Sequence, residues 1–398
     1  MDSVLIILAV VLTGGLLLWP RLSSAPLWRA SITPLASIIG SGFLVIGPIL
    51  GASYGLFAPL VMAALCGTAY LFGSAIRFNI ARLGDSDSRR SSLEEQLETL
   101  SSWALAFAYV ISVAYYLNLL GAFSVSLTSL NDAFHARLVT SAVFALILFV
   151  GWTRGFAALE RLEQISVGVK LAIIAGLLTG LGLFFAKEAS SGDLLFVPAS
   201  LTGWPALTLA FGLIVTVQGF ETSRYLAQDY DAATRIRSMR LAQWTSTAIY
   251  MIYIGLMAYL FAPDSLALSE TAIIDLMEIV TPILPILLIV AAVSAQFSAA
   301  VADTSGSGGL LAELSRNRMT PRVGYAILVT IGLALTWAAS IFELISYASR
   351  AFAVYYGLQC LIAMTGAAKR GGAKWQVLLF AVLAVLAALI SVFGVAVE

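Results

Sequence analysis

Ile38-Ile39-Gly40-Ser41-Gly42-Phe43 interrupts an apolar run that begins near Trp28. Val217-Gln218-Gly219-Phe220-Glu221 interrupts a second run that begins near Trp204. Both stretches place glycine and polar residues where a membrane helix would otherwise continue. Inside a bilayer, such a break strips backbone groups of their helical partners. It is tolerated only where it is buried in protein or lines a cavity. Paired breaks in corresponding halves of a chain point to a solute site between two discontinuous membrane helices.

The composition places the chain in a membrane. Of its 398 residues, 60% are hydrophobic and 11% charged, and the mean hydropathy is +0.95. Soluble domains carry about 25% charged residues. The net charge is zero, so no basic excess points to nucleic acid. Cys66 and Cys360 lie far apart in apolar sequence and form no disulfide or metal framework. The single histidine, His135, falls in a short polar stretch and reads as a surface residue. No catalytic constellation, metal site or cofactor is expected, and the chain does not read as an enzyme.

At about 20 apolar residues per crossing, the expected spans are 3–19, 30–52, 55–77, 99–127, 138–153, 163–186, 204–228, 239–263, 281–313, 323–341, 343–367 and 374–396. Basic residues favour cytoplasmic loops. Arg21 and Arg29, Arg77 to Arg90, Arg154 and Arg161, Arg224 to Arg240, Arg316 to Arg322, and Lys369 to Lys374 all fall on one side of this scheme. Only Arg137 and Lys187 fall in the opposite loops. The asymmetry predicts a multi-pass protein of the cell (inner or plasma) membrane with both termini non-cytoplasmic. The first segment lacks a basic start (Met1-Asp2-Ser3) and reads as a retained helix, not a signal peptide.

The expected fold is therefore an all-α membrane protein of about 12 transmembrane helices. Residues 1–28 form an extra N-terminal helix, 29–187 a first five-helix repeat, 201–369 an inverted second repeat, and 372–398 a C-terminal helix. A broken helix opens each repeat, and an odd number of spans per repeat inverts the second. The polar run Asp85 to Glu98 is expected to be a cytoplasmic loop with a short amphipathic helix. Ser269 to Glu278 reads similarly on the other side, where it would cap a vestibule.

Ser37-Ile38-Ile39-Gly40-Ser41-Gly42-Phe43-Leu44-Val45 followed by Pro48 resembles the first-helix signature of the amino acid–polyamine–organocation (APC) transporters. Gly219-Phe220-Glu221, followed by Tyr225-Leu226-Ala227-Gln228-Asp229 and Arg235, is similar to that family's sixth core helix. Ser307 to Pro321 is similar to the loop after its eighth. The resemblance implies the leucine-transporter fold, a 5+5 inverted repeat. The extra N-terminal helix, and the stretch Gln218 to Arg240, are also similar to sodium–solute symporters, which share that fold.

Gly40, Ser41 and Gly42, with Ser37, would present backbone N–H groups to a substrate carboxylate, because a half-helix N-terminus attracts anions. Close helix packing through the glycines is the alternative reading. Val217, Gln218, Gly219 and Phe220 would supply carbonyls to a substrate amine, with Phe220 as a gate or a packed aromatic. Glu221 is an intramembrane acid, a class of residue usually functional. It would pair with an amine, carry a proton or hold its helix in place. Lys170 lies two turns into the fifth core helix. The resemblance implies that a lysine here stands in for the sodium of coupled relatives, which would suit proton coupling, whereas a snorkelling lysine is the alternative. Ala36, Ile39, Ala291, Ser294, Ala295 and Ser298 mark the alternative sodium site, in which hydroxyls expected of a sodium site are missing. Gln296 and Asp303 share another face of that helix, where Asp303 would meet a basic group. Arg350 would join an outer gate with an acidic partner, and simple structural pairing is the favoured reading for both Asp303 and Arg350.

The sequence thus predicts a secondary active transporter in a lipid bilayer. Its expected substrate is a small amine-bearing solute, most simply an amino acid, moved by alternating access with proton coupling or exchange. A sodium-coupled symporter for an organic acid, sugar or proline is the first alternative. A non-transporting sensor or assembly subunit is the second.

Overall fold

A computed structural model describes residues 2–40, 42–83, 91–153, 157–262, 269–316, 318–369 and 373–397. Among these residues the chain is helical throughout, with no strand. In order, the helices are α1 (Asp2–Leu18), α2 (Pro20–Ser23), α3 (Pro26–Ile38), α4 (Phe43–Tyr54), α5 (Ala58–Leu83), α6 (Ser92–Val125), α7 (Ala133–Thr153) and α8 (Ala157–Ser191). They continue with α9 (Gly203–Gly212), α10 (Ala232–Met257), α11 (Ala272–Val280), α12 (Ile283–Leu314), α13 (Pro321–Ala338), α14 (Ile341–Lys369) and α15 (Lys374–Phe393). Eight described helical stretches are long and apolar enough to cross a bilayer by length and composition. They include α6, α12 and α14, which form the centre of the bundle.

Helix starts follow local chemistry. Pro20, Pro26 and Pro321 open α2, α3 and α13, where a missing N–H costs nothing. A capping box opens α6. Ser91 Oγ accepts from the Glu94 N–H at 3.4 Å, and Glu94 Oε2 accepts from the Ser91 N–H at 2.8 Å. This corrects one expectation. Residues 91–98 do not form a separate loop helix but are the first turns of the long helix α6, while residues 84–90 lie outside the described part. His135 likewise lies in the first turn of α7, not in a loop. It is partly exposed, and its ring nitrogen lies 2.6 Å from Asp132 Oδ2.

Small residues let the helices close on one another, as in membrane bundles generally. α1 lies along α8, with Ile6 and Val10 seated over Gly176 and Gly180. α11, the expected vestibule segment, packs against α4, α8 and α12. Buried polar groups knit the bundle. Asn118 Nδ2 donates to Thr336 Oγ1 at 2.9 Å, and Ser112 Oγ donates to Asp303 Oδ2 at 2.5 Å.

The crossing of α6 and α7 tests this packing. A Cβ on Gly121 would lie 2.3 Å from both the Ala136 carbonyl oxygen and Thr140 Oγ1. Backbone cannot yield as a flexible side chain can, so Gly121→Ala forces the helices apart, at a cost of about 1–3 kcal/mol. Gly255, in α10, faces open space. Melting the purified variants in detergent should show a lower Tm for Gly121→Ala and none for Gly255→Ala. Equal stability of both variants would contradict the packing.

Candidate functional site

The two interrupted stretches break where the sequence says they should. α3 ends at Ile38, Gly42 precedes α4, and Ser41 lies outside the described residues. α9 ends at Gly212 and gives way to a 3-10 turn at Ile214–Val217. A second 3-10 segment, Phe220–Gln228, follows Gly219, with a kink at Leu226. Gly219 has φ +117°, which disfavours any residue with a Cβ. So long a 3-10 segment is unusual, and such stretches often mark functional hinges.

Three carbonyls freed by the first break are satisfied by three different helices. Lys170 Nζ, from α8, donates to the Ala36 oxygen at 2.6 Å. Tyr250 Oη, from α10, lies 3.0 Å from the Ile38 oxygen. Gln296 Nε2, from α12, donates to the Gly40 oxygen at 3.2 Å. Lys170 is 1% exposed, so its stem does not snorkel to an interface. On α12, Gln296 and Ala299 are the residues that meet Gly40. Ala291, Ala295 and Ser298 are buried on the same helix, and Ser294 is half-buried. The Ser298 hydroxyl has no hydrogen-bond partner.

The second break is held in the same manner. Ser349 Oγ, from α14, donates to the Gly212 oxygen at 2.6 Å and accepts from the Val215 N–H at 3.0 Å. Tyr250 Oη reaches the Thr216 oxygen at 2.6 Å, so a single hydroxyl bridges both breaks. Glu221 Oε2 accepts from the Gly219 N–H and from Tyr356 Oη, each at 3.0 Å. Its other oxygen is buried without a partner. Gln218 Nε2 donates to Tyr116 Oη at 2.8 Å. Phe220 is fully buried and stacks on Tyr356, with ring centroids 5.1 Å apart, so in this conformation it belongs to the packed core.

The breaks touch. A Cβ on Gly42 would fall 2.4 Å from Thr216 Cβ, and one on Gly219 would fall 2.5 Å from Ser37 Cβ. The glycines therefore allow close approach here, as the packing alternative held. The Ser37 hydroxyl is buried at this contact without a hydrogen-bond partner. A cavity of about 10 Å³ is bordered by Ile38, Cys66, Val217 and Tyr250. That is room for about one water.

A polar latch lies beyond Glu221. The buried Arg224 guanidinium pairs with Glu98 on α6 and with Gln359 Oε1 on α14. Asn79 Nδ2, from α5, donates to Gln359 Oε1 at 2.9 Å, and Gln359 Nε2 donates to Ser101 Oγ at 2.7 Å. Arg235 donates to the Arg224 carbonyl at 2.8 Å. At the same end Arg82 meets Glu94 at 2.5 Å, and Lys369 lies 3.5 Å from that carboxylate. Sequence reading missed Glu98, Asn79, Gln359 and Tyr250. Gln359 carried a usable signal as a polar side chain inside an apolar span, and Asn79 fell two residues past the end expected for its span. Tyr250 carried none.

A family profile described as an APC superfamily transporter matches residues 20–394. The chain belongs to the APC superfamily of transporters. It is also similar to a protein of Aquifex aeolicus (strain VF5) described as uncharacterized. The two are 40% identical over 391 residues, which is 95% of this chain and 93% of the relative. Membership makes the chain a membrane transporter, and its apolar helices fit a multi-pass protein.

Arg350 departs from expectation. It has no acidic partner among the described residues, and its Nε donates instead to the Ser391 carbonyl at 2.7 Å.

Three variants check the site. Arg224→Ala leaves Glu98 without its guanidinium, and loss of one partner of a buried pair costs about 3–5 kcal/mol. The double variant Arg224→Met/Glu98→Leu should recover much of that loss in a detergent melt. Tyr250→Phe removes the one proton that the Ile38 and Thr216 carbonyls share, at a cost of about 1–3 kcal/mol. A Tyr250→Phe protein as stable as wild type would show that the bridge carries no weight.

Proposed function

We propose that this chain is a secondary active transporter of a small amine-bearing solute, an amino acid, working by alternating access with proton coupling or exchange. The observation that carries the coupling reading is the buried Lys170 ammonium on the Ala36 carbonyl. A cation fixed to this carbonyl supplies the positive charge that a sodium ion would otherwise bring. It would hold the first broken helix while charged and release it when the proton leaves. Sodium needs several oxygen ligands, and Ala291 and Ala295 offer none from their side chains, which favours Lys170 over sodium.

The substrate would sit between the breaks once they part. Ser37, Gly40, Ser41 and Gly42 would meet its carboxylate, and Val217 to Phe220 its amine. Glu221 is spoken for by Gly219 and Tyr356, so its proposed role is to hold the second break in shape. The proposed architecture is a 5+5 inverted repeat, with α3 to α8 as the first half and α9 to α14 as the second. The distribution of basic residues supports a cytoplasmic position for the Arg224 latch. In this reading the latch closes the inward path, and transport requires it to open.

Uptake into proteoliposomes tests the proposal. Wild-type protein should accumulate an amino acid in sodium-free buffer under an inward proton gradient. Lys170→Ala should reduce that uptake to background while its melting curve still shows a folded protein. Strict dependence on sodium, or unchanged pH-dependent uptake by Lys170→Ala, would refute the proton reading.

A further inference from the structure

On the outside of the bundle a groove of about 450 Å³ runs between α6, α13 and α14. Its walls are apolar, with Phe107, Ile111, Ile331, Leu335 and Val354 among them. The one charged group in its lining is Arg350.

The depth of that arginine follows from the helices. α14 and α15 pack as an antiparallel pair, and Arg350 bonds to Ser391, within a turn of the end of α15. α15 has 20 residues. At about 1.5 Å per residue it is just long enough to cross a hydrocarbon core of about 30 Å. Arg350 therefore stands close to one boundary of that core, and the groove descends from it along α14 past Ala351 and Val354. Arg350 is exposed, and only its Nε is engaged, by a neutral carbonyl. Among the described residues no carboxylate lies within ion-pair distance of the guanidinium.

We propose that this groove seats an acyl chain of an anionic phospholipid whose phosphate pairs with Arg350. An apolar groove at hydrocarbon depth offers water too few polar partners to fill it, whereas a lipid chain fills it at no polar cost. An unpaired cation at the boundary calls for an anion, and a planar guanidinium suits a phosphate by bidentate bonding. The volume lies in the range of small-molecule sites, about 300–1,000 Å³.

The test compares phosphatidylglycerol and phosphatidylcholine of identical chains, bound to the purified full-length protein and read by native mass spectrometry and by melting. Wild type should favour phosphatidylglycerol about fivefold, the effect of one basic residue near an anionic surface. Arg350→Gln should erase the preference, and Arg350→Lys should keep most of it. Ala351→Trp, which fills the groove and leaves the charge, should weaken both lipids. Melts without added lipid show that each variant is folded. Equal binding of the two lipids by wild type, or an undiminished preference in Arg350→Gln, would overturn the proposal. Protection by glycerol phosphate without acyl chains, equal to that by the lipid, would overturn it too, because the site would then be one for free anions.

Discussion

Backbone groups released inside a bilayer must find partners within the protein, and that requirement organises this molecule. Ala36, Ile38 and Gly40 lose their helical partners at the first break, and Gly212 and Thr216 lose theirs at the second. Their acceptors are taken up by Lys170, Tyr250, Gln296 and Ser349 from α8, α10, α12 and α14. Four helices are thereby tied to two short stretches of irregular chain, α8, α10 and α12 to the first and α10 and α14 to the second.

The bonds differ in how easily they can be exchanged. Tyr250 has one hydroxyl proton and two carbonyls within reach, so it can serve either break but not both fully. The Lys170 ammonium holds the Ala36 carbonyl at the end of a long side chain. The Arg224 latch is different in kind, because a guanidinium stays charged and presents several donors in a fixed fork. It binds Glu98 and Gln359 together and locks the end of the second break to α6 and α14. The closed contact of Gly42 with Thr216 and of Gly219 with Ser37 sits between these soft and firm attachments.

Much of the fold was legible because membrane helices announce themselves by run length, and glycine-rich breaks announce themselves by interrupting those runs. The errors have physical causes. Glu94 and Glu98 looked like loop residues because charge was equated with water. In the folded chain Arg82 and Arg224 neutralise them, so α6 begins earlier. Arg350 looked like half of a gate because spacing cannot reveal that its neighbour is a carbonyl of α15. Lys170 was picked out as an intramembrane charge, but its target, the Ala36 oxygen, is a main-chain atom with no signature in the sequence.

By itself the sequence determined that this is a membrane protein, where its helices break, and which family's motifs it carries. Those properties are local, set by hydropathy over about 20 residues and by the backbone freedom of Gly40, Gly42 and Gly219. The tertiary structure decided which side chain satisfies which freed carbonyl, that Tyr250 spans both breaks, and that Glu98, Asn79 and Gln359 converge on Arg224. Most of those pairings join residues more than a hundred positions apart, such as Lys170 with Ala36 and Gln359 with Arg224. They exist only because helix packing brings them within hydrogen-bond distance.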